Sequence, residues 1–416
     1  MDNGFEKNPA IQGPETASLE QRLLTVLKSS IVLIGVFSLV AAIWGGVVRI
    51  GWHFPPLKPG LPGIHGPLVV CGFLGTLFSL ERSLTLKRID AILVPLLIAF
   101  GSMALLARPS SRVGHFFITI GSLGFLVICL ANLWVKFNLF TSLMSVGSVI
   151  WLAGIVIWMA RWPVFNVYLW WMSFVLFTLI GQRLELGHRI HLVTPPFKGL
   201  ALSMGIVLLG LISMAVGHLS NPDQMGIVQD AIVDPRLKIG MIMAGVGTVL
   251  TALWLLRYDA AWATMKNGGI AGYTATCLIS GYLWLAVSGL LSIAFAGYVS
   301  GVRYDALLHS FFVGFVFFVI FSHGPIIFIS ALGLRFPNVK ILIAEAVLLH
   351  ITLLIRIAGD LFRYAPAKKA GGLLNALVIA AFLLTLIFWL IKSMIHSSKR
   401  PLPQSGHDER TGGLAA

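Results

Sequence analysis

Charge is scarce in this sequence. Only 11% of its 416 residues are Asp, Glu, Lys or Arg, against about a quarter in a typical soluble domain. That shortage leaves too little polar surface for a water-soluble globule. Cysteine is scarcer still. Cys71, Cys129 and Cys277 are the only three, and each falls in an apolar run. An odd set placed this way excludes a disulfide framework and a zinc knuckle. A cleavable signal peptide is also missing, because residues 1–13 are polar and the apolar run that starts near Ser29 carries no small-residue cleavage pattern. No nucleophile–base constellation is visible, which argues against a membrane-embedded hydrolase or transferase. Acids are outnumbered, giving a net charge of +14. The Lys and Arg stand singly in short loops, which is the pattern of membrane topogenesis and not of nucleic-acid binding.

What the sequence has in abundance is apolar length. Hydrophobic residues make up 57% of it and the mean hydropathy is +0.90. About twelve runs are long enough to span a bilayer. They lie near 28–48, 65–84, 89–107, 114–134, 139–159, 164–183, 198–217, 239–256, 273–298, 305–334, 341–359 and 372–394. The fold class predicted is all-α, a polytopic bundle over 28–394, with an N-terminal segment 1–27 and a C-terminal tail 395–416. Ser18-Leu19-Glu20-Gln21 reads as a capping box opening the first helix. Gly324-Pro325 predicts a kink in the tenth span. More than half of the Lys and Arg fall on the side that carries the N-terminus, so both termini are expected in the cytoplasm. The loop with Asp223, Asp230 and Asp234 then lies outside.

Histidines occur where lipid should exclude them. With this topology His65, His309, His218 and His115 share the outer level of the membrane. A neutral imidazole there needs a partner, either a metal or haem iron, or a backbone carbonyl on a neighbouring helix. His323 follows His309 by fourteen residues, about 40° short of four turns, so both face one side of the tenth span, about 21 Å apart along its axis. That is too far for one metal and suits two stacked sites, the deeper one including His350. His53, His188, His191, His396 and His407 read as solvated.

Arg49, Trp52 and Arg303 sit at the outer edge, either as donors to haem propionates or as interfacial anchors. Asp305, four residues before His309, is an acceptor for the imidazole or an N-terminal cap. Arg356 and Asp360, at i and i+4, are expected to pair. Glu345 relays protons or snorkels to water. The stretch GQRLELGHR, from Gly181 to Arg189, reads as a salt-bridged turn.

HGPLVVCGFLGTLFSLERS (His65 to Ser83), GQRLELGHR and DALLHSFFVGFVFFVIFSHGPIIF (Asp305 to Phe328) together resemble bacterial twelve-span membrane proteins of the NnrS type and, more distantly, subunit I of the haem–copper oxidases. The resemblance implies a fold like that subunit and a haem, b-type, with copper as a further candidate. His65 matches the ligand on the second span, and His309 and His323 occupy the helix of the other ligands. The adjacent His-His pair, the His-x-His pair and the tyrosine of the oxidase site are missing, as is the HxHEM start typical of NnrS proteins. Oxygen reduction with proton pumping is therefore not expected.

Two functions compete. One is a haem redox protein of a bacterial inner membrane, linked to nitric oxide or respiratory metabolism, with His65, His309, His323, His350 and His218 as metal ligands. Its partners would be the lipid bilayer, a periplasmic or membrane electron donor, or other subunits of a respiratory complex. The other is a transporter or structural subunit with no metal, in which the histidines join helices.

Overall fold

Twelve helices follow one another with short connections, and each is long and apolar enough to cross a membrane. The computed structural model describes residues 19–55, 57–86, 88–160, 162–189, 196–220, 234–332 and 339–397. In order the helices are α1 (Leu19–Arg49), α2 (Leu61–Thr85), α3 (Leu93–Ala107), α4 (Arg112–Val135), α5 (Leu139–Met159), α6 (Val164–Arg189), α7 (Phe197–Ser220), α8 (Pro235–Tyr258), α9 (Gly269–Ala294), α10 (301–332), α11 (Val339–Leu361) and α12 (Ala365–Ser397). No strand occurs among the described residues. The protein is a multi-pass membrane bundle, and the expected spans are all present.

The helix starts follow from local chemistry. Asn138 and Thr141 form a reciprocal capping box at α5. Asp234 accepts from Arg236 N at 2.7 Å and Pro235 takes the first position of α8. The box expected at Ser18 lies outside the described residues. So do His191, His407, the loop 221–233 with Asp223 and Asp230, and most of both terminal segments. The side chains of His188 and His396 are likewise not described. The ninth span runs four residues earlier than its hydropathy suggested, because the chain turns after Ala294 with φ +99° at Gly297, a conformation that favours glycine.

Sequential neighbours pack closely: α3 on α4, α4 on α5, α5 on α6, α7 on α8, α8 on α9 and α11 on α12. Lipid tails are as apolar as leucine, so close approach of small residues does the work that the hydrophobic effect does in water. At the α7–α8 crossing, a β-carbon built on Gly210 would sit 2.6 Å from the Gly240 carbonyl oxygen, and one on Gly247 2.6 Å from that of Ser203. Both obstacles are backbone and cannot rotate away. Gly210→Val is expected to destabilise the protein by ~1–3 kcal/mol through forced separation of the two helices, read as a lower midpoint of thermal unfolding in detergent. An unchanged midpoint would show that this crossing is not tight.

Two helices depart from regular α geometry. In α2 the stretch Leu68–Gly75 is π-helical and begins directly after Pro67. Proline donates no hydrogen bond and crowds the preceding turn, so the ladder shifts there. In α10 the stretch Ser310–Val316 is also π-helical and begins directly after His309. No proline accounts for it. The helix runs on through Gly324 and Pro325, so the departure from α geometry falls nearer its start than the kink read from that dipeptide.

Candidate functional site

His65 lies just before the π segment of α2 and His309 just before that of α10. Both line one cavity bounded by α1, α2, α10, α11 and α12. Wide, distorted turns of this kind occur often at functional sites. The cavity has a volume of about 140 Å³. On α1 the wall runs from Leu39 to Ile50, which is ~16 Å along the helix axis. Gly46 of α1 stands at the edge of the His65 ring, where a β-carbon would come 3.8 Å from its Cδ2.

The two histidines are held alike. His65 Nδ1 lies 2.8 Å from the Pro62 carbonyl oxygen and His309 Nδ1 lies 2.8 Å from that of Asp305. A carbonyl only accepts, so each Nδ1 carries the proton and donates it. Each Nε2 is left with its lone pair, which is the form of imidazole that binds a metal. The backbone of the same helix thus fixes both the tautomer and the ring orientation.

A buried cluster of charge adjoins His309. Asp305 Oδ1 is 3.4 Å from His309 Nδ1, and Asp305 Oδ2 receives Arg356 at 3.1 Å and Lys368 at 3.3 Å. Lys368 also meets Asp360 at 2.8 Å. The i, i+4 pairing expected between Arg356 and Asp360 is not formed. Arg356 turns to α10 and Asp360 to α12, because partners on neighbouring helices offer both residues a more buried pairing. Nor is Asp305 a cap, since α10 begins at Gly301 with Ser300 before it. Arg356, Asp305 and Asn375 line the cavity beside the histidines. Arg49 is there too, and donates to the Pro62 carbonyl at 3.4 Å.

The other expected residues lie elsewhere. Trp52 Nε1 donates to the Lys369 carbonyl at 3.1 Å and ties the end of α1 to α12. The Arg303 guanidinium stacks 3.9 Å above the Tyr298 ring. Neither lines the cavity. His218 is buried and stacks on Trp162 with centroids 5.1 Å apart. His115 stacks on Trp158 at 4.1 Å. His323 Nδ1 bonds within its own helix, to the Val319 carbonyl at 2.9 Å. His350 Nδ1 accepts from Trp284 Nε1 at 3.0 Å, and its ring packs 4.2 Å from that of Phe318. His323 and His350 have separate partners, and neither lines the cavity of His65 and His309. At the opposite end of the bundle GQRLELGHR is salt-bridged as read, but it is helical and not a turn: Arg183 pairs with Asp259 at 2.5 Å, Glu185 with Arg82 at 2.7 Å, and Gln182 bonds Glu81.

Among the described residues no group of three or more His, Cys, Asp or Glu could hold a metal ion. A bare zinc or copper ion wants three or four such ligands. A haem brings four nitrogens of its own and asks the protein for one or two.

The helical unit that builds this cleft is a recognised one. A family model described as a domain of unknown function, DUF8744, matches residues 28–391. The chain belongs to that family. The match covers α1 to α12 almost throughout, so the DUF8744 unit is the whole bundle, with the cavity and both histidines inside it. No curated protein and no solved structure matches the chain.

Proposed function

We propose that the cleft binds a b-type haem between His65 and His309, and that the protein is a membrane redox protein linked to nitric oxide or respiratory metabolism. One observation carries this reading. Two histidines on different helices face one cleft, each with Nδ1 tied to a carbonyl of its own helix and Nε2 free. The donor set fits the group, since the two neutral imidazoles would hold the iron and the cationic Arg49 and Arg356 would meet its carboxylates at the rim. The cavity, about 140 Å³, is close to the roughly 150 Å³ that admits a benzene ring, so a macrocycle would have to part the walls of the cleft.

When bound, the haem would supply one-electron chemistry. The chain's own residues do the rest. Pro62 and Asp305 orient the ligating rings, Arg356 and Lys368 hold Asp305 beside His309, and α1 covers the face of the cleft. His218, His323 and His350, without a shared cavity, are assigned packing roles in this reading. The deciding measurement is a visible spectrum of the purified protein, taken oxidised and reduced. A well-folded, colourless preparation from a haem-replete host would return the protein to the transporter or structural-subunit class.

We further propose that the Arg49 end of the bundle faces the periplasm of a bacterial inner membrane and the termini face the cytoplasm, on the strength of the Lys and Arg distribution. Electrons would then arrive from a periplasmic or membrane-bound donor. Reporters fused after Arg88 and within 220–234 are expected to give cytoplasmic and periplasmic signals. Reversal of both would move the cleft and its donor to the cytoplasmic side.

A further inference from the structure

The α11–α12 hairpin carries a second polar feature below the cavity. Thr352 and Arg356 lie seven and eleven residues after Glu345, each within about 20° of whole turns, and Asp360 within about 60°. All four are buried and share the face that meets α12. Partners on α12 match them in antiparallel order: Lys368 with Asp360 at 2.8 Å, Asn375 with Thr352 at 2.7 Å, and Thr385 with Glu345 at 2.6 Å. This register sets Leu349 opposite Ile379, and Ile379 belongs to the wall of the cavity.

Several buried polar atoms along this seam have no hydrogen-bond partner among the described residues. Glu345 is 7% exposed, and its Oε2 is buried with no hydrogen-bond partner. Asn375, at the cavity wall, is 2% exposed, and its Nδ2 is likewise unpartnered. Tyr273 of α9, close enough to Glu345 for their charges to interact, has a buried hydroxyl beside the Cys277 thiol. Such atoms are costly in a bilayer interior. No cation among the described residues pairs with Glu345. The titratable groups that face it are Tyr273 and, beside Tyr273, Cys277; on the α12 side it meets the neutral Thr385. Unlike Asp305 and Asp360, this carboxyl gains or loses a proton without breaking an ion pair. Glu345 is six residues into α11, ~9 Å from the helix end, and one turn, ~6 Å, from the Leu349–Ile379 layer. One or two waters entering that layer would close the gap.

We propose that Glu345 is a proton-carrying group that links the Lys340 end of the bundle to the cavity along the α11–α12 seam. The step is a proton transfer alone. At the Lys340 end an O–H bond of hydronium breaks, the proton forms an O–H bond on Glu345 Oε2 and water is left; the reverse step returns it. The inference rests on the haem reading in one respect: the proton on Glu345 would balance the electron that a bound haem would accept.

The test uses the full chain in lipid nanodiscs and infrared difference spectroscopy, with dithionite as the electron source. The reduced-minus-oxidised spectrum is expected to show a carboxylic C=O band that shifts in D2O, is lost in Glu345→Gln and persists in Asp360→Asn. A haem-containing preparation whose band survives in Glu345→Gln, or that shows no such band, would overturn the proposal. If the protein lacks haem, that reading fails by itself. The static spectrum of wild type minus Glu345→Gln then decides: exchange of the carboxyl in D2O within seconds supports the proton route, and protection over hours overturns it.

Discussion

Protein purified from a haem-sufficient host is expected to show a Soret band and close to one haem per chain by pyridine haemochrome. His65→Ala and His309→Ala should each remove most of that haem, because each deletes one of two axial nitrogens and leaves the cleft open to water. A spectrum of the remaining fraction should change from six- to five-coordinate character. His323→Ala, His350→Ala and His218→Ala should keep haem content near wild type, since none of the three lines the cleft. This pattern separates a ligand pair from histidines that only join helices, because the three controls are embedded in the same bundle. Haem content unchanged in both His65→Ala and His309→Ala would mean that the pair is structural. Loss in all five variants alike would point to general unfolding and not to ligation.

Arg356→Ala should cost ~3–5 kcal/mol, the usual penalty for removing one partner of a buried ion pair. Arg356 is 7% exposed and Asp360 1%. With the guanidinium gone, Asp305 and Asp360 share the single ammonium of Lys368 across three helices. The expected readout is a large fall in the detergent unfolding midpoint. Arg356→Lys should recover only part of it, because an ammonium cannot reproduce the several bonds that the guanidinium makes with the Asp305 carboxylate. A midpoint close to wild type for Arg356→Ala would mean that Lys368 alone neutralises both acids.

The twelve spans were legible because hydropathy reports a requirement that acts along the chain: about twenty apolar residues per crossing. His65 and His309 were legible for the same reason, since imidazole in an apolar run has few explanations. The charge partners were not. Arg356 and Asp360 have the spacing of a helical pair, and only tertiary structure shows that Asp305 and Lys368, on other helices, compete successfully for them. The separation of His323 from His350 was hidden likewise, because helical phase orders residues on one helix and says nothing about which helices stand side by side. Asn375 and Lys368 gave no sequence signal of their own. The π segment of α2 had one, in Pro67; that of α10 had none.

Those two segments have a mechanical consequence. A regular α-helix is torsionally stiff, so a rotation at one end is felt at the other. A π turn holds surplus backbone, and a hydrogen-bond register that has slipped once can slip again by a residue at modest cost. Each histidine therefore sits at the end of a short rigid stub, Leu61–Pro67 in one helix and Gly301–His309 in the other, joined to the remaining turns by a compliant collar. The orientation of the two rings is set locally, by Pro62, Asp305 and the charges behind them, and not by the far turns of α2 and α10.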